Sequence, residues 1–264
     1  MENLWLEAKN LIKGKDYKGA IPVLKKLTEK VEAIYDNHSD KLFSFNHILE
    51  TYYYAYFMKD VSQLEYTEYA INSYYRTLGF CQMHIGKHVD AIKSYENALK
   101  WNPVDLDTYL QLSELYKKVN NLDSLRKVTF ESYNLLCSRA TMARFYRNLG
   151  FYYLEKYETE LAAILYKYSN IYYETEFATK ELEFIAKAIQ KELPEYSLKY
   201  MQEKLTEKNI PVGPNPDTIG ITYRVGQIEL EAGNLKEARE CFMMVYDLTQ
   251  DEEVKVILEA LENK

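Results

Sequence analysis

Four arginines and two phenylalanines offer the clearest chemistry in this sequence. Arg76, Arg144, Arg147 and Arg224 fall at corresponding places in helix-like stretches of a chain whose formal net charge is −7. Planar guanidinium forks suit carboxylates, and Phe80 and Phe151, each one helical turn beyond an arginine, would hold apolar side chains beside them. Gln111, Glu114 and Asn148 lie at the same helical angle and add hydrogen-bonding groups. The chemistry is recognition of a protein or peptide segment, acidic or ending in a free carboxylate. The alternative is that the arginines pair with Glu114, Glu155 and other acids as surface charge while the phenylalanines pack against neighbouring helices.

Catalytic and metal chemistry find no comparable pattern. His84 and His88 sit four apart, but Gly86 and Lys87 between them mark a turn, and no glutamate completes an H-E-x-x-H arrangement. No C-x2-C, phosphate loop, G-x-G-x-x-G or G-x-S-x-G occurs. Asp105 and Asp107 follow Pro103 and read as caps of the next helix. The chain reads as non-enzymatic, with no cofactor or metal. A carboxylate pair hidden in a groove lined by tyrosine and acid is the alternative.

The elements that would position these residues repeat. In "AIKSYENALKWNP", residues 91–103, Ala91, Tyr95 and Ala98 share one helical face and Pro103 ends the helix. Upstream stand Tyr75, Leu78 and Gly79. Stepping thirty-four residues forward, Tyr75 becomes Tyr109, Leu78 becomes Leu112 and Gly79 becomes Ser113. After a three-residue insertion the pattern returns as Tyr146, Leu149, Gly150, Ala162 and Tyr166. It is degenerate around Phe184, Ile185, Ser197 and Met201, and clearer again at Val225, Gly226, Ala238 and Phe242. Ala8, Leu11, Ala20, Leu24 and Leu27 fit it at the N-terminus. A small residue on each helix lets two axes approach, and the large aromatic fills the adjoining groove.

The unit resembles the tetratricopeptide repeat (TPR), a helix–turn–helix of about 34 residues. The resemblance covers 72–176 best, then 1–35 and 219–250, and 177–210 least. It implies an all-α fold, an α-solenoid of TPR-type hairpins coiled as a right-handed superhelix, and a concave groove as the ligand surface. On that resemblance Arg76, Phe80, Gln111, Glu114, Arg144, Arg147, Asn148 and Phe151 line the groove. TPR proteins that clamp the C-terminal carboxylate of heat-shock chaperones are similar in part, but Phe80 stands where they carry an asparagine. Bacterial TPR receptors of small signalling peptides supply a second functional reading, a signal-responsive regulator. The principal one is a non-catalytic protein- or peptide-binding scaffold.

The pattern breaks twice. Residues 36–66 do not hold it: Tyr52–Phe57 suggests a short buried helix, "KDVSQLEY" an irregular or extended crossing, and Thr67 the cap of the next helix. The stretch reads as an atypical terminal repeat or as a built-in ligand folded into the groove. "KNIPVGPNPD", 208–217, is a proline-rich loop, a hinge or a packed arm, after which Asp217 or Thr218 caps the last repeat. Val254, Ile257, Leu258 and Leu261 give the closing helix one apolar face, as a capping helix needs. A single repeat domain over 1–264 is expected: 1–66 atypical, 67–207 central repeats, 208–217 the loop, 218–264 the last repeat and cap.

Bulk properties limit the partners. The chain of 264 residues is 47% hydrophobic and 28% charged, with only 9 glycines and 6 prolines, as expected of a helical globular protein. Its negative charge and lack of basic runs argue against nucleic acid. No apolar stretch approaches ~18 residues, which argues against a membrane span. The charged, amphipathic N-terminus predicts no signal peptide. Three well-separated cysteines, Cys81, Cys137 and Cys241, fit a reducing cytoplasm. Pairing of two copies stays open.

Overall fold

Buried positions recur at helical spacing along nearly the whole chain. The computed structural model describes residues 1–36, 42–58 and 64–262, and contains fourteen α-helices and two short strands among them. The protein is all-α. It divides into two compact units, Met1–Asn121 and Leu122–Lys264.

In the first unit, α1 (Glu2–Lys13) packs on α2 (Tyr17–Tyr35), α2 on α4 (Ile71–His84), α4 on α5 (His88–Trp101), and α5 on α6 (Leu106–Lys118). Asp16 starts α2 by accepting the Gly19 N–H at 2.8 Å. Gly86 takes φ +77° in the turn between α4 and α5, a conformation that glycine adopts without the Cβ penalty. Ala8, Ala20, Leu24, Leu27, Ile71 and Ala98 belong to one apolar core.

The first hairpin interface of full TPR-like pattern is built by a missing side chain. A Cβ placed on Gly79 would lie 2.9 Å from Cε1 of Tyr95, whose side chain is wholly buried. The absence of that carbon lets the ring fill the space between α4 and α5. Full burial of such a ring stabilises by about 2–3 kcal/mol.

The irregular N-terminal stretch is fastened to this hairpin. β1 (Leu42–Phe43) pairs in parallel with β2 (Glu65–Tyr66), and α3 (Ile48–Phe57) lies between them in sequence. The Ser44 N–H donates to the Trp101 carbonyl at 2.8 Å, and its hydroxyl donates to Asn72 Oδ1 at 2.9 Å. The buried carboxylate of Glu50 accepts from Asn102 Nδ2 at 2.7 Å and from the Asn46 N–H at 2.6 Å. The helix expected over Tyr52–Phe57 is present and begins earlier. Thr67 does not cap α4: its N–H extends the strand pairing to Phe43, and α4 starts at Ile71 behind Ala70. Of "KDVSQLEY", residues 59–63 lie outside the described residues.

The second unit holds α7 (Leu122–Ser132) with a 3-10 turn (Tyr133–Leu135), α8 (Arg139–Glu155), α9 (Thr159–Tyr172), α10 (Glu176–Ile189), α11 (Leu198–Glu207), α12 (Pro216–Glu231), α13 (Leu235–Thr249) and α14 (Glu252–Glu262). Ser138 and Thr141 form a reciprocal cap on α8. The absent-Cβ relation recurs twice, sixteen residues apart each time: Gly150 against Tyr166 and Gly226 against Phe242, each at 3.1 Å. Both α10 and α11 lean on α9. Within α10 the buried residue is Ile185; Phe184, matched to the repeat in sequence, points outward and is 58% exposed. Val254, Ile257, Leu258 and Leu261 of α14 pack on the core of α12 and α13, as their spacing predicts.

The proline-rich stretch is a packed arm. Tyr146 donates its hydroxyl to the Pro211 carbonyl at 3.0 Å and accepts the Gly213 N–H at 3.1 Å, while Tyr133 donates to the Gly213 carbonyl. Asn215, rather than Asp217 or Thr218, caps α12, with Pro216 at its first position and the Asn215 amide tied to Asn134 Oδ1 at 2.8 Å. Proline fits there because the first helical N–H has no partner within the helix.

Candidate functional site

In the first unit, α4, α5 and α6 together shape a cleft of about 270 Å³ lined by Arg76, Thr77, Phe80, Tyr95, Asp107 and Gln111. Three of the eight residues selected from sequence therefore meet in one concavity. Arg76 and Phe80 stand one turn apart on α4, and Gln111 reaches in from the second turn of α6. Tyr95 is the same ring that fills the Gly79 gap.

The charges of the cleft differ from the sequence expectation. Arg76 Nη1 lies 2.7 Å and 2.9 Å from the two carboxylate oxygens of Asp105, and 3.4 Å from Asp107. Asp105 does cap α6, accepting the Thr108 N–H and hydroxyl, but it is also the arginine's counter-ion and is 2% exposed. Asp107 is 74% exposed. With Arg76 and Asp105 cancelling, Asp107 is the charge the cleft presents to solvent. The carboxylate that Arg76 grips is the chain's own.

The polar groups that remain suit an uncharged ligand atom. The Gln111 amide has no partner among the described residues, and it offers a donor and an acceptor side by side. The Tyr95 hydroxyl is buried without a hydrogen bond. Burial, together with the nearby Cys81 thiol, pushes it up from the ordinary tyrosine range, so it keeps its proton and can donate. Phe80 makes an apolar wall, held by ring contacts with Tyr17 at 5.8 Å and His84 at 4.1 Å. His84 is itself fixed by a 2.9 Å contact from Nδ1 to the Phe80 carbonyl.

The other selected residues are placed differently. Glu114 is paired with Lys117 at 3.0 Å and does not line the cleft. Arg144, Arg147, Asn148 and Phe151 all lie on α8, in the second unit. Arg147 donates to the Tyr173 carbonyl at 3.2 Å, and Arg144 and Phe151 are half-buried. Asn148 is 1% exposed and cannot meet a ligand, a correction to its place on the predicted open face. The arc assumed for α8 is rotated: Asn148 turns toward the packed side beside Leu149.

Sequence reasoning missed Asp107 and Tyr95 as cleft residues. Both had been absorbed by structural roles, Asp107 as a helix-start residue and Tyr95 as packing. Their dual use follows from the fold, because the start of α6 lies against the middle of α4.

Among the described residues no three His, Cys, Asp or Glu side chains gather as metal ligands, and no helix is long and apolar enough to cross a membrane. The chain is thus an all-α protein of helical hairpins with a polar cleft beside one of them. Compared with known proteins, it matches no family model and no curated protein.

Proposed function

We propose that the chain is a non-catalytic scaffold of TPR-type hairpins in an α-solenoid, and that it holds a peptide or protein segment against the first helices of its hairpins. The hairpins carry the small-residue and aromatic pairs that the repeat requires. The observation that carries the reading is the unpartnered Gln111 amide beside the Phe80 wall. An amide side chain bonds a peptide unit through both its donor and its acceptor, and the ring accepts a neighbouring apolar side chain. At this cleft the segment is neutral or basic, because Arg76 is already neutralised and Asp107 is exposed. An acidic segment belongs instead beside Arg144 and Arg147 on α8.

Pull-down from native lysate with the wild type, Phe80→Ala/Gln111→Ala and Arg144→Ala/Arg147→Ala tests the reading. Partners lost with the first variant and retained by the second place the segment at the cleft; the reverse places it on α8. Equal recovery of every partner by all three proteins would rule out both surfaces.

A further inference from the structure

Helix α10 has a second face that no part of the chain covers. Its packed side is Ala178 and Ile185. On the outer side Phe177 and Phe184 stand two turns apart, 51% and 58% exposed, with no ring contact among the described residues. Two large aromatic rings at i and i+7 in water make an apolar seam of the kind that helices bury by pairing.

The sequence of α10 is complementary to its own reverse. A second α10 laid antiparallel, with the two-fold axis between Lys180 and Glu181, sets Phe177 against Phe184 of the second copy. The same register sets Lys180 against Glu181 and Glu174 against Lys187. Each match occurs twice by symmetry, as an isologous interface requires. Other registers fail. A parallel pair puts Lys180 on Lys180 and Glu181 on Glu181. Slipping the antiparallel pair by two turns faces Phe177 with Lys191, or Phe184 with Asn170. Apolar and charge matching therefore select a single arrangement.

We infer that α10 is a self-association helix, and that its occupant is α10 of a second copy of this chain in that antiparallel register. Lys180 is bonded to Glu176 of its own helix at 2.6 Å, but both side chains are largely exposed, 67% and 82%. A solvated pair of this kind holds the lysine weakly and releases it to the second copy at little cost. Glu174 and Lys187 make no ion pair among the described residues and are exposed. The seam is short, one helix of fourteen residues, so the dimer is a weak one, formed at micromolar rather than nanomolar concentration.

Sedimentation velocity on the full chain over a dilution series tests the inference, using Lys180→Glu and Glu181→Lys separately and as an equimolar mixture. The wild type is expected to dimerise on concentration. Each variant alone sets like charges together and self-associates at least ~10-fold more weakly. In the mixture both pairs regain opposite charge, and the dimer returns. Because Glu181 is half-buried, the exposed pair Glu174→Lys and Lys187→Glu provides the same exchange, with melting curves confirming that each chain is folded. A wild type monomeric up to on the order of 100 µM would overturn the inference, as would a dimer indifferent to these variants. Folded variants whose mixture stays monomeric would overturn it too.

Discussion

One terminal nitrogen of Arg76 serves both carboxylate oxygens of Asp105, at 2.7 Å and 2.9 Å, and so ties the middle of α4 to the first turn of α6. The carboxylate is almost wholly shielded from water, while the arginine is about a quarter exposed. The pair fixes one wall of the cleft and removes its positive charge. Replacing Arg76 by methionine leaves Asp105 buried with only the Thr108 groups as partners, and should cost about 3 kcal/mol in urea unfolding. The double variant Arg76→Met/Asp105→Asn removes the stranded charge and should recover most of that loss. A single variant as stable as the wild type would show that the pair is not a fastening.

Gly79 and Gly220 make a controlled comparison of two helical glycines. At Gly79 an added Cβ meets three atoms of the Tyr95 ring within 3.1 Å. At Gly220 it meets nothing within 4 Å, on an exposed position inside α12. Gly79→Ala should therefore destabilise by about 1–3 kcal/mol, because the ring is enclosed and the two helices must part. Gly220→Ala should stabilise by up to about 1 kcal/mol through helix propensity alone. Thermal melts of the two variants should move in opposite directions.

These glycines also explain how much the sequence disclosed. The small-residue and aromatic pattern was readable because it is a local rule, one residue on each of two helices sixteen positions apart. It located the hairpins that carry Gly79, Gly150 and Gly226. The clasp between Arg76 and Asp105 was not readable, since it depends on how α6 approaches α4 after Pro103. Helix phase failed where two apolar residues were adjacent: Phe184 and Ile185 both suit the interior, and Ile185 occupies it. The cap of α12 was misplaced because Asn215, Asp217 and Thr218 are all good capping residues. Pro216 decides among them, since proline belongs at the first helical position.

The Tyr146 hydroxyl holds the proline-rich arm from both sides, donating to Pro211 and accepting from Gly213. Tyr146→Phe keeps the packed ring but strands a backbone N–H and a carbonyl in a largely buried place. The expected loss is about 1–2 kcal/mol. Amide hydrogen exchange should quicken over 209–215, including Ile210, which is buried in the wild type. Unchanged exchange there, with normal stability, would mean that the prolines alone stiffen the arm.

Glu50 gives a pH dependence whose sign can be worked out. Burial raises its carboxyl above the ordinary 4.5, and the opposing influences of His47 and the hydrogen bonds from Asn46 and Asn102 offset this only in part. The folded chain therefore keeps a proton on Glu50 at pH values where the unfolded chain has lost it. Wherever the native state binds more protons, stability falls as pH rises. This contribution is thus present below pH 4.5, declines as pH climbs through the folded pKa, and is flat above it. Glu50→Gln cannot titrate and retains an acceptor for Asn102. Urea unfolding of both proteins at intervals upward from pH 4.5 should show the wild type losing stability relative to the variant, then running parallel to it near neutrality. A gap that widens in favour of the wild type as pH rises would mean that the three donors outweigh burial and hold the carboxylate ionised.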